Sequence, residues 1–163
     1  MNGQKELYEV LKRLDINIEY YEHLAAPTIE IAKKYWKDLN ATHCKNIFLR
    51  NHKGNKHYLV SFEHEQTLSI KTLEQKLKQG KLSFASAWRL EKHLGLKAGS
   101  VSPFGLINDK ENHTTVFLDK NLLETETISF HPNINTASLV IKTKDFIKFM
   151  DWTGNNYEFL ELY

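Results

Sequence analysis

One cysteine, Cys44, stands alone among 163 residues, so no internal disulfide can form, and the chain fits a reducing compartment. No apolar run approaches the length of a membrane span, and no apolar stretch near the start resembles a secretory leader. The cytoplasm is therefore the expected location, with no membrane partner. Charge of one sign is not in large excess: the formal net charge is +2, so bulk charge neither demands nor excludes a polyanion, and local distribution must decide. Proline is scarce, and Pro27, Pro103 and Pro132 each read as a break between elements. Chemical signatures are missing as well. There is no Gly-x-Ser-x-Gly elbow, phosphate-binding P-loop or dinucleotide fingerprint. Eight histidines are present, yet they are scattered, with no His-Glu-x-x-His and no cysteine pair beside them. His52 and His57 flank what reads as an exposed turn. No metal site and no cofactor are expected.

What is present folds. A hydrophobic fraction of 41% with 26% charged and 12% aromatic residues is that of a globular chain, and the length fits a single domain over residues 1–163. Leu7, Val10, Leu11 and Leu14 recur at helical spacing within 4–14, and 16–23 reads as a strand. Thr28 is placed to cap a helix running to about Asp38–Asn40. Residues 43–50 and 57–62 are β-prone runs around Asn51-His52-Lys53-Gly54-Asn55, which predicts an antiparallel hairpin. Helices are expected over 67–79 and 86–94, the second ended by Gly95, with 80–85 as the connector between them. Strands follow at 114–119, 127–131 and 137–142. Thr143 is expected to cap a last helix to Met150, and 157–162 to finish extended. Hairpin-like links are as common as crossovers, which predicts an α/β (α+β) domain with a mixed, mostly antiparallel sheet flanked by helices.

Candidate chemistry centres on Gly99-Ser100-Val101-Ser102-Pro103-Phe104-Gly105-Leu106. Glycine frees the backbone and proline removes a donor, so this stretch reads as a loop able to offer its own peptide groups to a ligand; an ordinary connector after the preceding helix remains open. Lys45 sits at the start of a strand expected to be buried, where a lysine must either snorkel to solvent or meet a partner. Cys44 and His43 are strand neighbours and point to opposite faces, so they do not make a nucleophile and base; an inert buried thiol is the better reading. His131 ends a strand just before Pro132. Neither Ser100 nor Ser102 has an evident activating base. A lysine and asparagine on a strand, a loop of peptide groups and a histidine suit a substrate that already carries its own reactivity, such as an activated ester. Lys71, Lys76, Lys78 and Lys81 form a basic stretch with few acids among them, which is either a solvated surface or a phosphate-binding face.

Four blocks, 43–49, 81–85, 99–109 and 130–136, in that order, resemble the YbaK-like family of aminoacyl-tRNA deacylases, related to the editing domain of bacterial prolyl-tRNA synthetases. The similarity runs over nearly the whole chain and is close to the free-standing branch acting on Ala-tRNA(Pro). The resemblance implies that Lys45, Gly99 and His131 are catalytic, that Gly99 and Pro103 bound a glycine-x-x-x-proline loop whose Ser100, Val101 and Ser102 line the substrate, and that Asn46 is the asparagine beside the lysine. It implies trans-editing hydrolysis by a water, backbone groups and the terminal ribose hydroxyl. Pro-tRNA(Pro) would be refused by pocket size, and the acceptor end of tRNA(Pro) would be the partner, with Lys71, Lys76, Lys78 and Lys81 as tRNA contacts. Prolyl-tRNA synthetase is a further candidate partner; DNA is not. Two alternatives stay open: a deacylase for Cys-tRNA(Pro) or another small mischarged amino acid, and a non-catalytic regulator that binds tRNA ends or amino acids.

Overall fold

The computed structural model describes residues 1–25 and 41–163, together with Glu30 and Lys33. The helix expected from Thr28 to about Asn40 lies largely outside the described residues. In chain order the described elements are α1 (Lys5–Arg13), β1 (Ile18–Glu22), β2 (Thr42–Asn51), β3 (His57–Glu63), α2 (Ile70–Leu77), β4 (Leu82–Phe84) and α3 (Ala87–Leu94). A 3-10 helix (Pro103–Asn108), β5 (Thr115–Asp119), a second 3-10 turn (Lys120–Glu124), β6 (Thr127–Phe130), β7 (Ala137–Lys142), α4 (Thr143–Thr153) and β8 (Tyr157–Leu160) complete the fold.

The strands form one eight-stranded sheet in the order β1-β7-β6-β2-β3-β5-β8, with β4 attached to β2. Four strand pairs are antiparallel and three, β2 with β6, β3 with β5, and β5 with β8, are parallel, so the sheet is mixed as expected. Its two faces carry separate cores, and the period-two alternation of β3 and β5 assigns residues to each. Leu59, Val116 and Leu118 join Phe104, Phe146, Phe149 and Met150 in the larger core under α1, α3 and α4. Tyr58, Val60, Phe62 and Phe117 join Leu73, Leu77 and Leu82 in the smaller one under α2. Being apolar on both faces, β3 reads as a continuous hydrophobic run. No helix among the described residues is long and apolar enough to cross a membrane.

Four details depart from the sequence-based expectations. Residues 82–84 form a strand on β2 rather than a connector, with Leu82 buried and Ser83 and Phe84 exposed. Pro103 starts a 3-10 helix instead of merely breaking the chain, because at the first position its missing N–H costs no hydrogen bond. Gly105 in that helix is needed for contact, since a Cβ there would lie 2.6 Å from Leu96 Cδ1. Thr143 is the first residue of α4, not its cap; its hydroxyl donates to the Thr125 carbonyl at 2.6 Å.

The fourth departure is His57, which is buried although it directly follows the exposed turn. His93 from α3 and His113 from the chain before β5 pack against it, with ring centroids 4.2 and 5.0 Å away. Arg89 Nη1 donates to the Gly54 carbonyl at 2.9 Å and lies 3.1 Å from His57 Nε2. A guanidinium can only donate, so His57 Nε2 carries the lone pair and its proton sits on Nδ1, which donates to His113 Nε2 at 2.8 Å. Arg89, His57 and His113 thus make a directed hydrogen-bond chain that ties the hairpin turn to α3, and His93 stacks on His113 beside it. Burial, then the neighbouring His93 and His113, push the pKa of His57 down to about 4. An unfolded histidine binds its proton near pH 6.5, so the unfolded state takes up more protons between these values. The stability supplied by neutral His57 is complete above pH 6.5 and is lost as pH falls toward 4. Thermal melts across this range should show Tm dropping with acid, and His57→Gln should flatten that slope.

Candidate functional site

Two neighbours compete for one edge of β2. Its opposite edge pairs with β3 from Cys44 to Arg50 without a break. On this edge β6 pairs only with Thr42 and His43, and β4 only with Leu49, Arg50 and Asn51. Ala85 N–H donates to the Phe48 carbonyl at 2.9 Å. Between them no described strand pairs with β2 at 44–48, and the sheet is split at Lys45–Ile47.

Of the residues singled out from the sequence, Lys45 and Asn46 lie on this split. Lys45 is half-buried, and its Cα partner across the ladder is Phe62 of the smaller core, so its side chain belongs to that face of the sheet. Among the described residues its ammonium has no hydrogen-bond or ion-pair partner. The parallel pairing of β2 with β6 ends at His43↔Ser129, two residues short of both Lys45 and His131. His131 Nδ1 lies 2.8 Å from the Ala137 carbonyl, which only accepts, so Nδ1 holds the proton and Nε2 keeps its lone pair. Burial lowers the pKa of His131 and His23 adds to the effect, its ring centroid 6.0 Å away; the Ala137 bond opposes both. The ring is neutral at pH 7.

Asn46 points to the opposite face, where its Oδ1 accepts from the Ser61 hydroxyl at 2.5 Å. The 99–103 loop lies toward that same side, as Val101 packs on the larger core. Gly99 has φ +86°, a backbone conformation that suits glycine alone. Ser100, Ser102 and Pro103 are buried, and Ser102 Oγ accepts from Phe104 N–H at 3.1 Å, which caps the 3-10 helix. The Ser102 hydroxyl is thus engaged in structure, and what the loop can offer is main-chain groups other than Ser100 N–H, which donates to the Lys97 carbonyl at 3.0 Å. Cys44 is buried in the larger core, and burial, then Glu63 and Asp119, hold its thiol well above the ordinary value, so it is no nucleophile. Lys71, Lys76, Lys78 and Lys81 are all exposed, on α2 and in the turn that follows it.

The contacts of the described residues join the loop to the histidine segment but not to Lys45. Phe104 packs edge-on against Phe130, at 5.7 Å between centroids, and Asn133 Nδ2 donates to the Phe104 carbonyl at 3.3 Å. Gln4 is the joint that the sequence reading missed. Its Oε1 accepts from Asn108 at 3.0 Å and from Asn133 at 2.9 Å, and its Nε2 donates to Asn108 Oδ1 at 2.6 Å. A glutamine just ahead of an amphipathic helix gives no local sign of such a role. As for a metal, His57, His93 and His113 offer nitrogens within 4.8 Å of one another. An ion on His57 Nδ1 would force its proton onto Nε2, against the Arg89 donor, so the hydrogen-bond chain and a metal exclude each other.

Comparison with known proteins follows the same lines. The model of the aminoacyl-tRNA editing domain family matches residues 23–149, which span His23, the split edge of β2, the loop and His131. The prolyl-tRNA editing protein ProX of Acetoanaerobium sticklandii is 39% identical over 162 residues, covering 99% of both chains. Prolyl-tRNA synthetase associated domain-containing protein 1 of Danio rerio is 32% identical over 92% of this chain and 82% of its own length. Among solved structures, that of the hypothetical protein APE2540 superposes with a TM-score of 0.72 at 16% identity, over 96% of this chain and 99% of the other, a likeness of fold. The chain therefore is an aminoacyl-tRNA hydrolase, and it belongs to the aminoacyl-tRNA editing domain family.

Proposed function

We propose that this chain is a cytoplasmic trans-editing deacylase that hydrolyses the ester of Ala-tRNA(Pro) and spares Pro-tRNA(Pro). The observation that carries the reading is the ammonium of Lys45, without a hydrogen-bond or ion-pair partner among the described residues, on the strand edge that β6 leaves open two residues before the neutral His131. The identity to a prolyl-tRNA editing protein over 99% of both chains supports tRNA(Pro) as the carrier. The synthetase that charges it would be the source of the error and a candidate partner.

The split edge of β2 would admit the acceptor end, with Lys45 and His131 on one side and Asn46 and the 99–103 loop on the other. An uncompensated ammonium at a half-buried position suits the terminal phosphate. His131 Nε2 would accept a hydrogen bond from the terminal ribose hydroxyl, orienting it toward the ester. Main-chain N–H groups between Gly99 and Pro103 would stabilise the negative charge that builds on the carbonyl oxygen as water attacks. The carbon–oxygen bond to the ribose then breaks, releasing alanine and a free tRNA hydroxyl. No step needs a side-chain nucleophile, in keeping with a buried Cys44 and an engaged Ser102. Proline would be refused because its ring exceeds the space that admits a methyl group, the second sieve of a two-sieve system. Asn46, its oxygen engaged by Ser61, would present its NH₂ to the same space.

Lys45→Ala should lower kcat for Ala-tRNA(Pro) by about 100-fold or more while Tm is held, the scale for removing a placed charge from a transition state; unchanged deacylation refutes the assignment. Gly99→Val should abolish hydrolysis, because a β-branched residue resists φ +86°; circular dichroism checks that the variant remains folded. As acid protonates His131, Nε2 becomes a donor, so kcat/KM should fall below pH 6.5, and His131→Gln should remove that limb from the profile. If Lys71, Lys76, Lys78 and Lys81 all meet phosphates, the logarithm of the tRNA association constant should fall against log salt with a slope of about −3.

A further inference from the structure

We propose that Phe84 and Trp88, with Arg89 and Lys92, form a stacking platform for the unpaired nucleotides of an RNA 3′ end; the assignment of that end to tRNA rests on the function proposed above. Two large aromatic side chains within five residues are left mostly in solvent, Phe84 at 63% and Trp88 at 57% exposure. Single exposed aromatics are common on monomers, but this pair comes with cations placed over one ring. The Arg89 guanidinium carbon lies 4.5 Å from the Trp88 ring centroid and Lys92 Nζ 5.9 Å.

The guanidinium is not a passing contact. Its Nη1 is held by the Gly54 carbonyl and by the lone pair of His57, itself fixed by His113. The histidine chain therefore fixes a cation over one face of the exposed indole, so that a base stacked on the opposite face and its phosphate would both be met. Local charge favours a polyanion: Lys81, Arg89, Lys92 and Lys97 face a single acid, Glu91, between positions 81 and 97.

Placement in the fold ties the platform to the split edge. Phe84 is the Cα partner of Leu49 on β2, so it shares the face of Lys45 four residues further along the same strand, about 13 Å away. Trp88 follows four residues later at the start of α3, the helix on the side of the larger core, so the platform would wrap the β4 edge from one face of the sheet to the other. A path of that length accommodates a few single-stranded nucleotides leading to a residue at Lys45. Stacking is indifferent to sequence, so the platform would supply affinity and direction, and selection of the amino acid would stay at the pocket.

The test uses the full chain, a fluorescent RNA hairpin with an unpaired 3′ tail ending in CCA, and the same hairpin blunt-ended. Trp88→Ala should weaken binding of the tailed hairpin about tenfold, Trp88→Phe should restore it to within about threefold, and the blunt hairpin should be unaffected by either. Phe84→Ala should act in the same direction as Trp88→Ala. Equal affinity of wild type and Trp88→Ala for the tailed hairpin overturns the platform, as does an equal loss on both hairpins. Hydrolysis of Ala-tRNA(Pro) is measured alongside. If the wild-type chain releases no alanine yet binds the tail through Trp88, the platform stands and the deacylase reading falls; if it releases alanine with tail binding unchanged by Trp88→Ala, the platform alone falls.

Discussion

One strand edge cannot pair with two strands at the same place, and the site follows from this constraint. β6 holds the beginning of β2 and β4 holds its end, and the residues between them are left to a loop and to whatever enters. Elsewhere β2 is an ordinary member of the sheet, tied to β3 over seven successive pairs and backed by cores on both faces. That rigidity matters because a lysine without a counter-ion is poorly tolerated in a mobile, half-buried place. The ladder to β3 fixes the backbone of Lys45, and the continuous register decides that Asn46 points the other way.

The same economy governs the rest of the site. A serine hydroxyl and a thiol in the blocks of sequence around the site are spent on structure, Ser102 on the 3-10 helix and Cys44 on the core, and Ser61 of β3 is spent on Asn46. Histidines are treated likewise. The carbonyl at Ala137 decides the tautomer of His131, and Arg89 decides that of His57. One ring therefore offers its lone pair to the site, and the other offers it to a cation that lies over Trp88.

Elements with strong local signals were legible. β7 has the boundaries read from its residues, the β2–β3 hairpin turns where Asn51 to Asn55 predict, and Gly95 caps α3 with φ +63°. Lys45, the 99–103 loop and His131 stand out in the sequence as members of ordered blocks rather than by propensity, and their joint role is the one proposed above. What escaped depends on contacts between distant segments. β4 has three residues, too few for periodicity, and exists because β2 offers it an edge. His57 reads as the exposed start of a strand beside a turn until His93 and His113 arrive from 36 and 56 positions away to bury it. Gln4 acquires its role from Asn108 and Asn133, and no feature of Gln4 itself announces them.

The pairing of β1 with β7 sets a schedule for the chain as it is made. Glu22 faces Ala137, 115 residues later (137 − 22), so β1 leaves the ribosome with its hydrogen-bonding edge unsatisfied. At roughly 5–20 residues per second, its partner follows about 6 to 20 s afterwards. The hairpin of β2 and β3 can close long before that, so the first β-structure in the nascent chain contains Lys45, and the wall carrying His131 is fastened later. Until then the incomplete sheet has an open strand edge that another nascent copy could occupy, which makes the final forty residues a safeguard against aggregation during synthesis.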